Sequence, residues 1–383
     1  MSKAEHRLLI EMERKNSATE SFRFGFGRFL KIGGYTYRFK YINEITKLDL
    51  NWCNAYIAVR PNTPMSYSLA KAIKESGKTY IVYFDDDLIN RKNSIKWRNK
   101  SSKKCLAISD AMFGANPALC EDYGNFTQYH FSINTAVDGS ELSLISRNSH
   151  QVQFVYAAGK DHAAIFESII MPILKHFLDE YHEVVHFTFI GVEPKLSAVG
   201  YSDNFTFVPL MTLEKYTEFM RTHAFDVGFA PLGDDRFSSM KYFNKYIEYG
   251  KFAIAGLYSN VAPYTYVVRD GVNGCLVNNT EQEWLKALKI AVKNIDKIRN
   301  IGRNSQEDLR ENFSLENIVE ELRGHFDIVL KDGGYTEIEW SRNKVLEKIF
   351  YMEDNMGKLI NQIYNHGIIE TVKILYRRIV TAI

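Results

Sequence analysis

From Arg7 to about Asp332 the chain alternates short apolar runs with longer amphipathic stretches, the pattern of βα units that build parallel sheets. In a first block, RLLIEM (7–12), YTYRFKYI (35–42), NAYIAV (54–59), TYIVYF (79–84), KCLAIS from Lys104 and TQYHFS (127–132) read as strands. SYSLAKAIKESG, between the third and fourth, has helical spacing, with Ser66 or Ser68 as its cap and Gly77 as its stop. A second block starts afresh with VQFVYA (152–157), VVHFTFI (184–190), NFTFV (204–208), FDVGFA (225–230) and FAIAGL (252–257). The polar, serine-rich DGSELSLISRNSHQ (138–151) between them has a linker's composition, so the expected units are 1–148 and 149–332.

After Asp332 the strand signal stops, and residues 333–383 read as a helical tail. Val345, Ile349, Met352, Met356, Leu359 and Ile363 are spaced four, three, four, three and four apart, a seam of near-heptad period. Beyond Gly367, Ile368, Val372, Leu375 and Ile379 share one face with Lys373, Arg377 and Arg378 nearby, a composition that suits an interfacial helix. Docking on the protein's own body or self-association is the favoured reading of the tail, and peripheral membrane contact the alternative.

Composition narrows the class. A chain of 383 residues suits two ordinary domains, and 45% hydrophobic with 25% charged residues matches soluble globular proteins rather than disorder or a membrane bundle. Lysine plus arginine is 48 against 46 acidic residues, a net +2 with no long basic run, which disfavours a nucleic-acid binder. Cys53, Cys105, Cys120 and Cys275 form neither a CxxC nor a Cys/His cluster, as expected of reduced cytosolic thiols and not of structural zinc or disulfides. MSKAEHRLLIEMERK lacks a signal-peptide core, and no stretch approaches the roughly 18 apolar residues of a spanning helix. The expected location is cytoplasmic, free or at the inner face of the membrane.

Candidate chemistry concentrates in FDVGFAPLGDDRFSSMKYFNKYIEYGKFAIAGLYSNVAPYTYVVRDGVNGCLV (225–277), which reads as strand, polar loop, helix, strand and turn. Ser238 or Ser239 is expected to cap a helix from about Met240 to Tyr249, with its N-terminal amides at the strand's carboxyl end, where a phosphate binds. Lys241, Lys245 and Glu248 then share one helical face. Two lysines four apart repel mildly, whereas facing a diphosphate they supply charge where it is needed, and Glu248 can accept hydrogen bonds from a ribose diol. A solvated face with a Lys245–Glu248 pair is the competing reading.

Here the sequence resembles the retaining glycosyltransferases of family 4, which have the two-Rossmann-domain GT-B fold. NKYIEYGKFAIAGLYSN (244–260) is similar to their Lys-x-x-Glu-Tyr helix and following strand, and DGVNG (270–274) to their closing turn. VQFVYAAGKDHAAIF (152–166) looks like the strand, glycine and basic residue that open the donor domain. TYIVYFDDDLIN, AISDAMFGANPAL and INTAVD resemble the acceptor-domain landmarks in order, so the likeness covers about residues 22–330. It implies an α/β protein of two Rossmann-like domains facing a cleft: an N-terminal acceptor domain, a C-terminal nucleotide-sugar donor domain and the tail.

The resemblance assigns Lys245 and Lys160 to the diphosphate and Glu248 to the ribose; Lys241, Gly159, His162, Ser239 and Tyr249 are further donor-site candidates. His162 has a plain alternative as a first-turn surface residue. The first acid of the family's Glu-x7-Glu pattern falls on Met240, which cannot orient a sugar hydroxyl; that role is missing or falls to Asp234 or Asp235. Ala253 and Ala255 replace a glycine and a proline, so the chain reads as a divergent branch.

Asp85, Asp86 and Asp87 admit two functional readings and a structural one. A strand ending in Asp-x-Asp holds manganese in single-domain glycosyltransferases. In the two-domain fold Asp85 and Asp87 would instead orient an acceptor hydroxyl or stabilise positive charge on the sugar. Helix caps or solvated aspartates would look the same. Aromatic residues reach 14%, and SFRFGFGRFLKIGGYTYRFKY is a candidate acceptor groove, with Arg23 and Arg28 as weaker candidates. The expectation is therefore a metal-independent, retaining glycosyltransferase without cofactor. It would transfer from a nucleotide-sugar to a glycan or lipid-linked acceptor in surface polysaccharide or glycoconjugate synthesis. A non-catalytic glycosyltransferase-like partner subunit and a nucleotide-sugar epimerase are the alternatives.

Overall fold

The structure, a computed structural model, describes residues 6–341 apart from 14, 16, 91–95, 148, 159–162 and 197–198. Among the described residues the strands form two six-stranded parallel sheets. The first contains β1 (Arg7–Met12), β2 (Thr36–Tyr41), β3 (Ala55–Val59), β4 (Thr79–Phe84), β5 (Ala111–Gly114) and β6 (Tyr129–Ser132), in the order β2-β1-β3-β4-β5-β6. The second contains β7 (Val152–Ala157), β8 (Val185–Ile190), β9 (Phe205–Val208), β10 (Val227–Ala230), β11 (Ala255–Ser259) and β12 (Cys275–Val277), in the order β12-β11-β10-β7-β8-β9. Each order reverses once, between β1 and β3 and between β7 and β10. Such switch points leave a crevice outside the strands' carboxyl ends.

Helices flank both sheets. Those of the first half are α1 (Ser17–Ile32), α2 (Lys47–Trp52), α3 (Pro64–Glu75), α4 (Lys96–Ala107) and α5 (Pro117–Gly124). The second half carries α6 (Ala163–Ile169), α7 (Met171–Tyr181), α8 (Leu213–Thr222), α9 (Arg236–Ser239), α10 (Asn244–Lys251), α11 (Glu281–Lys293), α12 (Ile295–Asn312) and α13 (Leu315–Val329). Being covered on both faces, β3 is buried along its whole length and β4 nearly so, which is why they read as unbroken apolar runs.

Several local expectations change. KCLAIS is not a strand: Ser101, Ser102, Cys105 and Leu106 are buried at helical spacing in α4, and the strand is the next apolar run, AMFG. Neither Ser66 nor Ser68 caps α3; Thr63 accepts from the Ser66 amide, with Pro64 opening the first turn. The expected Met240–Tyr249 helix starts later, at Asn244, and a separate short helix, α9, precedes Met240. Asp235 caps α9, Met240 closes it, and α10 begins at Asn244 with no side-chain cap.

The serine-rich connection between the sheets is pinned down. Arg147 donates to the carbonyls of Phe225 (2.9 Å) and Ala253 (2.7 Å), and the Ser143 amide donates to the Lys251 carbonyl at 2.8 Å. The chain then crosses back, because α13 packs Leu315, Ile318, Leu322 and Phe326 among the core residues of the first sheet. Residues 334–341 are not helical either. They run along the first half, where Ile338 is buried and exchanges two hydrogen bonds with the Asn51 side chain (2.8 and 3.2 Å). The heptad seam from Val345 to Ile363 and the stretch from Ile368 lie outside the described residues.

One carboxylate sits inside the first core. Glu11, 1% exposed, accepts hydrogen bonds from the Tyr56 hydroxyl (2.8 Å) and the Ser66 hydroxyl (2.6 Å). Burial pushes its pKa up to about 7, against the pull of those two hydrogen bonds.

Candidate active site

The carboxyl ends of both sheets line one cleft of about 630 Å³. Several segments meet there on the first-domain side, the ends of β5 and β6 among them. The β3 end contributes Arg60, the β4 end Asp85 and Asp86, and α1 an aromatic wall that includes Phe22 and Phe26. The Phe22 ring lies 4.4 Å from that of Tyr83 and 4.8 Å from that of Phe26. Opposite them are the ends of β7 and β10, Lys241, and Asn244, Lys245 and Glu248 from the start of α10.

Lys245 and Glu248, one helical turn apart, form an ion pair at the cleft, and the Tyr216 hydroxyl also donates to Glu248 at 3.3 Å. Lys245 is 23% exposed and Glu248 34%, so both remain available to a ligand. Lys241 is not on their helix, yet it reaches the same cleft from the segment before it, with its ammonium 5.0 Å from the Phe237 ring centroid. The floor under α10 is a close approach. Tyr249 is fully buried and donates to the Phe229 carbonyl at 2.6 Å, and a Cβ at Gly228 would lie 2.5 Å from its ring. Tyr249 is thus a core residue that seats α10 on β10 and does not face the cleft. The DGVNG turn holds α10 from the other side, since the buried Asn273 donates to the Tyr246 hydroxyl at 2.9 Å.

The three aspartates separate. Asp85 and Asp86 line the cleft and pair with Arg60 at 3.2 and 3.9 Å. Asp87 does not line the cleft. It is 4% exposed and accepts from Tyr123 at 2.5 Å and from Arg236 at 2.9 Å. Ser239 also lies off the cleft, its hydroxyl turned to the Arg236 carbonyl. Of the weaker candidates, Arg28 is held by Asp138 and Glu141, and Arg23 pairs with Glu20. Lys160, Gly159 and His162 lie outside the described residues.

Arg60 escaped the sequence reading. It follows β3 and precedes Pro61, a strand end at a switch point, which was the one signal available. Its φ of 56° is left-handed, a conformation that costs a non-glycine residue on the order of 1–2 kcal/mol and marks a constrained position. Tyr242, also in the cleft, was missed as well; its hydroxyl accepts from the Thr135 amide at 2.9 Å, across the two halves.

No protein-family model matches the sequence, and no curated protein does. Solved structures match over most of their lengths. The chain is similar to a glycosyltransferase from Rickettsia africae (TM-score 0.64, 10% identity, 86% of this chain and 100% of that one). It is similar to HepE of Anabaena in complex with UDP and glucose (0.61, 10%, 84% and 100%) and to sucrose-phosphate synthase from Thermosynechococcus elongatus (0.62, 9%, 84% and 98%). A structure described as a putative UDP-N-acetylglucosamine 2-epimerase from Listeria monocytogenes also matches (0.52, 8%, 86% and 98%). At these identities the likeness is one of fold: two Rossmann-like domains facing a cleft, the GT-B fold. A strand ending in Asp-x-Asp therefore stands here in a two-domain protein and not in the single-domain, manganese-binding fold.

Proposed function

We propose that the protein is a retaining glycosyltransferase of the family 4 type that moves a sugar from a nucleotide-sugar to a glycan or lipid-linked acceptor. The observation that carries this reading is the meeting of Lys241, Lys245 and Glu248 with Asp85 and Asp86 across one cleft, at the carboxyl ends of both sheets. UDP and glucose in the HepE complex make a UDP-sugar the first donor to test.

Lys245 and Lys241 stabilise the diphosphate as it leaves, and Glu248 turns from Lys245 to the ribose hydroxyls. Lys160 keeps its assignment to the diphosphate in this proposal, and Gly159 and His162 theirs to the donor site. The bond between the anomeric carbon and the diphosphate oxygen breaks while the acceptor oxygen bonds to that carbon on the same face. The acceptor proton passes to the departing phosphate, so no separate general base is needed. Asp85 orients the acceptor hydroxyl, and the α1 aromatic wall packs on the acceptor's apolar face. The reaction takes place in the cytoplasm or at the membrane's inner face. Among the described residues no helix is long and apolar enough to cross a membrane.

A thermal-shift screen of nucleoside diphosphates and their sugars tests donor binding, because a ligand of the native state raises stability by mass action. Transfer is expected to proceed in chelator at nearly its usual rate. Asp85→Asn is expected to slow transfer while leaving UDP affinity nearly unchanged. Activity that vanishes in chelator and returns with manganese, together with loss of UDP binding in Asp85→Asn, would overturn the metal-free reading. The Listeria likeness keeps a second reading in view, an epimerase, which would convert the UDP-sugar without an acceptor. Product analysis with and without acceptor separates the two.

A further inference from the structure

The segment between β10 and α10 belongs by order to the second domain, where Leu232 and Phe243 anchor its ends, but between them Arg236, Met240 and Lys241 contact the first. Arg236 forks onto Asp122 through Nη1 (3.0 Å) and Nη2 (2.5 Å), while its Nε donates to the buried Asp87 at 2.9 Å. Met240, 4% exposed, is packed in the first-domain core cluster with residues such as Phe84, Leu119 and Tyr123. Asn116 Nδ2 donates to the Lys241 carbonyl at 2.6 Å, and its Oδ1 accepts from the Leu119 amide at 2.8 Å, which fixes the amide's orientation. Arg236, Met240, Asn116 and Asp122 all lie off the cleft, while Lys241, in their midst, lines it.

We propose that residues 236–242 form a strap by which the first domain positions Lys241 in the donor half of the cleft, making Arg236 and Asp122 positioning residues for diphosphate binding. This rests on the donor-site reading above. The strap also explains the methionine at 240: an acid there would be buried among apolar side chains of the other domain, unpaired and costly. Fixing Lys241 through its own carbonyl and its neighbours removes the freedom that it would otherwise lose on binding. Nucleotide affinity then depends on a first-domain carboxylate that never touches the nucleotide.

The test is a double-mutant cycle read by calorimetry with UDP. Asp122→Asn, which leaves Arg236 its partner Asp87, is expected to weaken UDP binding by roughly three- to tenfold. In a Lys241→Ala background the same change is expected to have no further effect, because its influence passes through Lys241. A purely structural role would weaken binding equally in both backgrounds, so a full-sized effect without Lys241 overturns the proposal. An Asp122→Asn protein with parental affinity also overturns it, and Asp122→Glu is expected to restore part of the loss. If the parent binds UDP, any such failure touches the strap alone; if the parent binds no nucleoside diphosphate, the donor-site reading falls first and the strap with it.

Discussion

Lys245→Ala is expected to lower UDP affinity by about 10- to 100-fold with little change in thermal stability, as measured by calorimetry and thermal unfolding. A charge-assisted hydrogen bond to a phosphate contributes about 1.5–3 kcal/mol, and this ammonium is one of two lysines among the described residues lining the cleft. Stability should hold because Lys245 is partly exposed and its ion pair is with Glu248 on the adjacent turn, an arrangement that contributes little to folding. Glu248→Ala is expected to weaken UDP as well, through the ribose. It should not weaken pyrophosphate, since its charge repels the anion and its pairing competes for Lys245. Unchanged UDP affinity in both variants would remove the donor-site assignment.

Between about pH 5 and pH 8 the parent protein is expected to lose about 2–3 kcal/mol of stability that Glu11→Gln retains. The Glu11 pKa is raised from 4.5 to about 7 in the folded state, so the unfolded chain releases this proton first as pH rises. A raised acid contributes fully below the unfolded pKa, and that contribution is lost as pH climbs through the folded one. Glutamine keeps a hydrogen-bonding group beside Tyr56 and Ser66 without the charge that burial penalises. Urea unfolding of both proteins at the two pH values measures the difference directly. Parallel pH profiles would mean that Glu11 does not titrate in this range.

The pairing of Lys245 with Glu248 on one helical face was legible because its geometry is local. Lys245 and Glu248 are one turn apart, and helical periodicity alone puts them on one face wherever the helix lies. Asp87 misled for the opposite reason. Once the backbone leaves β4 after Phe84, strand alternation no longer says where a side chain points, and Asp87 turned into the core toward Tyr123. The helix boundaries near Ser66 and Ser238 failed because serine, threonine and aspartate all cap. Thr63 before Pro64, and Asp235 before the short α9, were the caps the chain used.

What the sequence determined by itself was the order of apolar runs, hence two parallel α/β units, and that Lys245 and Glu248 share a helical face. Both follow from side-chain periods of two and 3.6 that act over a few residues. What only the tertiary structure decided was which distant segments meet. Asp87 and Asp122 lie 149 and 114 residues from Arg236, and α13 rejoins a sheet whose strands end almost two hundred residues earlier in the chain. Those encounters depend on where each sheet reverses its strand order and on how the two domains close, and no local period encodes either.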